Sequence, residues 1–63
     1  MKLGSLVKIH PIDHLSREFR GELGTLLDLE IHNYLSEKFY YAKVMLLSGK
    51  IIFTSQNSLE FIS

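Results

Sequence analysis

The stretch FYYAKVMLLSGKIIFTS, residues 39–55, decides the fold that this sequence predicts. Aromatic and β-branched residues, which favour strands, crowd both of its halves. Ser48 and Gly49 stand between the halves and have the composition of a two-residue hairpin turn. A turn of that length fixes the pairing of the strands, so Val44 is expected to lie opposite Phe53.

Alternation of side chains divides the predicted hairpin into two faces. The face chosen as the core contains Ala42, Val44, Leu46, Ile51 and Phe53. The other face places Met45 beside Ile52, with Tyr41 farther along the strand, and a preceding strand could bring Leu26 near them. Monomeric proteins rarely expose contiguous apolar patches, so a copy of the chain or a larger partner is expected to cover this face. The predicted partner-binding residues are Leu26, Tyr41, Met45 and Ile52.

Length and composition predict a single domain over residues 1–63. Hydrophobic residues make up 46% of the chain and charged residues 22%, which is ordinary for a folded protein. The chain has no cysteine, so neither a disulfide nor a thiolate metal site can support so small a core. Self-association or docking on another protein is therefore the expected source of additional stability.

Charge and hydropathy limit the classes of binding partner that the sequence predicts, among them nucleic acid and membranes. Seven basic and seven acidic residues give a formal net charge of zero, and like charges form no run. Nucleic-acid binders normally carry a basic surface that neutralises phosphates, so this balance argues against nucleic acid. No apolar run approaches the roughly 18 residues of a membrane span, and residues 1–10 are too weakly apolar for a signal peptide. We expect a soluble protein made inside the cell.

The remaining segments predict three more strands. Residues 3–9 alternate with Val7 and Ile9 on one side, and residues 21–31 begin with glycines that disfavour a helix. The last strand is predicted at residues 59–62. The predicted connections are a long ordered loop at 10–20, a polar segment at 32–38 and a 3₁₀ turn at Gln56–Ser58.

This order of elements is that of SH3-like small barrels, so the predicted fold is all-β, a five-stranded antiparallel SH3-like small barrel with one short 3₁₀ turn. The chain resembles short phage-encoded SH3-like proteins over nearly its whole length. The matching positions are residues 4–7, 21–26, 41–44, Gly49 and 59–62. The resemblance implies a phage setting: a capsid-decorating or head-tail accessory protein, found in the virion or the host cytoplasm.

Two groups of polar residues have the composition of a metal-binding site or a catalytic site. His10 and His14, with Asp13 between them, have a spacing that binds zinc on a helix, but Pro11 and the lack of a third strong ligand favour solvated loop residues. Asp28 and Glu30 share a strand face and are read as solvated. The sequence thus predicts no cofactor, no metal and no small-molecule substrate, and it predicts that the chain is not an enzyme.

Four aromatic residues surround the second connection: Tyr34, Phe39, Tyr40 and Tyr41. Aromatic residues near such loops bind proline-rich peptides or stack on bases in some small barrels. The simpler interpretation is that Phe39 and Tyr40 close one end of the barrel. The function predicted from all of these features is a non-enzymatic protein-protein interaction module, and the alternative is a KOW-like nucleic-acid-binding barrel.

Overall fold

A computed structural model describes residues 2–12 and 17–62. Its strands are β1 (Leu6–Ile9), β2 (Leu23–Tyr34), β3 (Glu37–Leu46), β4 (Ile51–Ser55) and β5 (Leu59–Phe61). They form one antiparallel sheet in the order β4-β3-β2-β1-β5. The all-β, five-stranded antiparallel prediction is confirmed. Within the described residues the sheet is open, with β4 and β5 as its edges.

Two short 3₁₀ turns accompany the sheet, at Arg17–Phe19 and at Gln56–Ser58. The second has the predicted bounds. The Ser55 hydroxyl caps it by accepting a hydrogen bond from the Asn57 N–H at 3.3 Å. The Gln56 side chain then donates to the Tyr41 carbonyl oxygen at 3.1 Å and holds this turn against β3.

The turn between β3 and β4 has three residues, so the predicted two-residue turn was wrong. Leu47, Ser48 and Gly49 form it, and Gly49 has a φ of 92°. The Gly49 N–H donates to the Leu46 carbonyl oxygen, and the Leu46 N–H donates to the Lys50 carbonyl oxygen, both at 2.8 Å. A turn that ends in a left-handed residue is the common three-residue hairpin connection, and glycine takes that conformation without steric cost.

The extra turn residue moves the register by one position. Val44 lies opposite Ile52 and Lys43 lies opposite Phe53, where Val44 had been predicted opposite Phe53. A shift of one residue exchanges the two faces of a strand. Ile52 is accordingly 6% exposed and belongs to the core, whereas Phe53 is 51% exposed.

The core lies on one face of the sheet. β3 contributes the side chains predicted for it, and β1 buries Val7 and Ile9, as their alternation indicated. Phe19, Leu29 and Leu59 pack against this core while partly buried. The buried apolar residues are Val7, Ile9, Leu26, Ala42, Val44, Leu46 and Ile52.

A β-bulge in β2 places Leu26 in this core. The register changes between Leu26 and Asp28, so Leu26 faces Val44 inside while Asp28 lies opposite Lys43 on the other face. Uninterrupted alternation had put Leu26 and Asp28 on one face. Near the bulge, a Cβ on Gly24 would lie 2.7 Å from Val44 Cγ1, so this buried position accepts only glycine without local movement.

The connection between β1 and β2 packs over one end of the core. The buried Ser58 hydroxyl accepts a hydrogen bond from the Ile12 N–H at 3.2 Å, and the Ser58 carbonyl oxygen accepts one from the His10 N–H at 2.7 Å. At its other end, the Lys50 ammonium lies 4.9 Å from the centroid of the Phe19 ring. The sequence had led us to expect that Ile12, Leu15 and Phe19 would fold this loop back over the core. Phe19 does pack inward, Ile12 is exposed, and Leu15 lies outside the described residues.

The segment predicted as a polar connection at 32–38 is mostly strand. His32 pairs with Phe39, and Tyr34 pairs with Glu37, so β2 and β3 continue to a two-residue turn. Leu35 and Ser36 form that turn, with φ values of 49° and 68°. Two positive φ angles mark a type I′ turn, which natural sequences usually build from Asn-Gly. All residues from 31 to 40 are exposed, so this arm of the hairpin extends beyond the core.

We expect Ile52→Ala to lower the free energy of unfolding by about 2–5 kcal/mol, because it leaves a cavity in the core. Ile51→Ala, the matched change one residue earlier on the opposite face, should cost less than about 1 kcal/mol because Ile51 is 48% exposed. Urea unfolding followed by circular dichroism measures both values. Equal losses, or a larger loss for Ile51→Ala, would contradict this register.

Replacing Leu35 by Asn and Ser36 by Gly should stabilise the protein by about 1 kcal/mol, because both new residues tolerate positive φ. In a domain of this size, that gain corresponds to a rise in Tm of about 4–8 °C. Ser36→Ala is the control, since alanine changes the side chain without relieving the backbone. A Tm unchanged by the double substitution would show that the turn is not strained.

Candidate protein-binding face

Four apolar side chains lie on the face of the sheet opposite the core, where Lys43 stands between Tyr41 and Met45. We name the four the outer patch: Tyr41, Met45, Ile51 and Phe53. Met45 lies directly opposite Ile51 in the register of β3 and β4. Alternation along each strand puts the other two on the same face. Met45, Ile51 and Phe53 are each more than a third exposed, and Tyr41 is half-buried.

Of the four predicted partner-binding residues, two lie on this face and two do not. Tyr41 and Met45 are on the outer face as predicted. Leu26 and Ile52 were placed there wrongly, since both are buried in the core. The bulge in β2 accounts for Leu26, and the three-residue turn accounts for Ile52. Ile51 and Phe53, predicted as core, take their place in the outer patch.

One end of the outer patch borders a cleft of about 490 Å³, lined by Glu30, His32, Tyr41 and Phe53. Glu30 and His32 come from β2, where residues two apart share a face. Tyr41 lies opposite Glu30 in the neighbouring strand, and Phe53 comes from β4. Three rings and one carboxylate therefore line a single recess on the outer face.

A hydrogen-bonded pair organises the polar side of this cleft. His32 Nε2 lies 3.0 Å from Glu30 Oε1, and the side chains of His32 and Glu30 are 57% and 33% exposed. The His32 ring also meets the Tyr41 ring edge to face, with centroids 5.1 Å apart and planes at 84°. The imidazole is thus held between the carboxylate and the phenol ring, which fixes the shape of the cleft wall.

Sequence reasoning had treated the two polar members of this cleft separately. Glu30 was grouped with Asp28 as a solvated pair, and the two do share the outer face. His32 was assigned to a surface position in a connection. The spacing Glu30-x-His32 would have placed them together had residue 32 been read as strand, because a period of two brings such residues to one face.

The aromatic residues of the hairpin arm are exposed. Tyr34, Phe39 and Tyr40 all lie beyond the core, so closure of a barrel end by Phe39 and Tyr40 is not seen. Ile31 and Leu35 on the same arm are exposed as well. The arm therefore extends the apolar surface away from the outer patch.

In the described part of the chain, the other residues considered as metal ligands do not come together at a second site. His10 is exposed at the end of β1, and Asp13 and His14 lie outside the described residues. Within residues 2–12 and 17–62, no three side chains of the metal-binding types lie close enough to hold an ion. In the same residues, no helix has the length and apolar character needed to cross a membrane.

Comparison of the chain with family models, with curated proteins and with solved structures found no match.

Glu30→Gln and His32→Ala should each change the free energy of unfolding by less than about 1 kcal/mol, because ion pairs at exposed positions contribute little to stability. Urea denaturation monitored by circular dichroism gives both values. A loss above about 2 kcal/mol for either variant would mean that the pair supports the fold and not merely the shape of the cleft.

Proposed function

We propose that this protein is a non-enzymatic protein-protein interaction module that docks through its outer patch. The observation that most directly supports this proposal is that Met45, Ile51 and Phe53 are exposed neighbours on the face of the sheet opposite the core. Single exposed apolar residues are ordinary on protein surfaces, but adjacent ones are typical of contact sites. Aromatic residues and methionine are also enriched in interfaces, and Tyr41 adds a phenol at the border of the patch.

The proposed module is an SH3-like small barrel. The strand order β4-β3-β2-β1-β5 and the 3₁₀ turn between β4 and β5 support this assignment. The resemblance to phage-encoded proteins of this kind adds a setting, a capsid-decorating or head-tail accessory protein of a phage particle. That part of the proposal rests on the resemblance.

A KOW-like nucleic-acid-binding barrel is the weaker candidate. Two of the three strand lysines lie opposite acidic residues: Lys43 faces Asp28, and Lys8 faces Glu60, whereas Lys38 faces Asn33. Such pairing leaves little unbalanced positive charge on the strands to attract phosphates. Arg17 and Arg20 lie outside the strands, and both are exposed in the β1–β2 connection.

The double variant Met45→Lys with Ile51→Glu should abolish partner binding while the protein stays folded. Both side chains are exposed, so the charges reach water in the free protein but would be desolvated in a complex. Peptides selected from a random library on the wild type should bind the variant at least a hundredfold more weakly. Sedimentation velocity on the wild type measures self-association separately.

Leu47→Lys with Leu3→Glu is the matched control, since it makes the same changes of charge at exposed apolar positions outside the outer patch. This control should bind the selected peptides as the wild type does. The proposal fails if both double variants bind equally well. It also fails if the wild type selects no peptide and remains monomeric.

A further inference from the structure

The cleft beside the outer patch combines two features that recognise a cation. Phenol and phenyl rings attract positive charge through the negative potential of their faces, and Tyr41 and Phe53 supply two such rings. Glu30 supplies a carboxylate whose side chain is only one third exposed. Neither feature alone defines a site, but both line the same recess of about 490 Å³.

We propose that this cleft binds the guanidinium group of an arginine side chain presented by the protein partner, an inference that rests on the function proposed above. Arginine fits better than lysine because its planar group can stack on a ring while its N–H groups reach a carboxylate. Its weaker hydration also lowers the cost of entering an aromatic recess. The partner's neighbouring residues then lie over Met45 and Ile51.

Glu30 has acceptor capacity for such a ligand. One of its oxygens, Oε1, is 3.0 Å from His32 Nε2. A carboxylate offers about four acceptor positions, so further N–H groups can bind Glu30 without breaking the contact with His32. A hydrogen bond between two charged groups is roughly twice as strong as one between neutral groups.

Three charged residues on this face bear on a cation at the cleft: Asp28, Glu30 and Lys43, which lies opposite the cleft residue Phe53. Asp28 has Lys43 directly opposite it, so these two opposite charges are adjacent. Glu30 has Tyr41 opposite it, and its ion-pair partner within the described residues is His32. The His32 imidazole occupies one acceptor position of the Glu30 carboxylate and leaves the others open. No lysine or arginine lies opposite Glu30 in the register, and the partner's arginine supplies that positive charge.

Titration of the ¹⁵N-labelled protein with Nα-acetyl-L-arginine methylamide tests the proposal. The neutral isostere Nα-acetyl-L-citrulline methylamide is the comparison ligand, and the ionic strength is held constant. We expect saturable amide shifts centred on Glu30, His32, Tyr41 and Phe53. The citrulline derivative should bind at least tenfold more weakly, which corresponds to about 1.4 kcal/mol.

Two variants and one control complete the experiment. Glu30→Gln should weaken arginine binding at least tenfold, and Phe53→Leu should weaken it while keeping an apolar side chain. Glu60→Gln makes the same change of charge at an exposed position on β5 and should leave binding unchanged. Equal binding of the citrulline derivative, shifts without saturation, or equal losses for Glu30→Gln and Glu60→Gln would each overturn the proposal.

The outcomes separate this inference from the proposed function. If the outer-patch double variant loses its selected peptides but the arginine derivative does not bind, the interaction module stands and the arginine site is wrong. If the arginine derivative binds but no peptide depends on the outer patch, the cleft is a cation site and the docking face proposed above is wrong.

Discussion

The position of Gly49 in the turn between β3 and β4 determines which residues of β4 enter the core and which join the outer patch. Because this glycine takes a positive φ, the turn has three residues, and β4 is displaced by one position relative to β3. Ile52 and Thr54 then point inward, while Ile51 and Phe53 point outward. The contributions of β4 to the core and to the outer patch are therefore two consequences of a single backbone conformation.

Because the core lies on only one face of a single sheet, contacts elsewhere in the structure help to stabilise it. The β2 bulge brings Leu26 into the core, and Gly24 allows β2 and β3 to approach closely. Ser58 hydrogen-bonds the chain on both sides of Pro11, which ties the β1–β2 connection to the final 3₁₀ turn. These contacts cover one end of the core and one face of the sheet. Within residues 2–12 and 17–62 no strand or helical turn lies across the outer face, and Met45, Ile51 and Phe53 are exposed.

Much of the fold could be predicted from sequence because local signals were sufficient. Strand propensities located all five strands, and the polar run after β4 located the second 3₁₀ turn. Register was the weak point, because Ser48-Gly49 suits a two-residue turn and also the end of a three-residue turn. The bulge in β2 had no local signal, since the leucines on both sides of it satisfy either face. Residues 32–38 appeared to be a connection because their type I′ turn lacks the usual Asn-Gly.

These errors of register explain why only two of the four predicted partner-binding residues lie on the outer face. Tyr41 and Met45 lie on β3, whose alternation was read correctly, whereas the other two residues lie on strands displaced by the turn and the bulge. An apolar patch contributes area to binding but discriminates poorly between partners, because hydrophobic contact has little directionality. The carboxylate of Glu30, at the edge of the outer patch, adds a preference for a positively charged group. Under the proposed function, this carboxylate beside the rings would reject acidic partners and orient a basic one, so the outer patch would supply affinity and the cleft would supply selectivity.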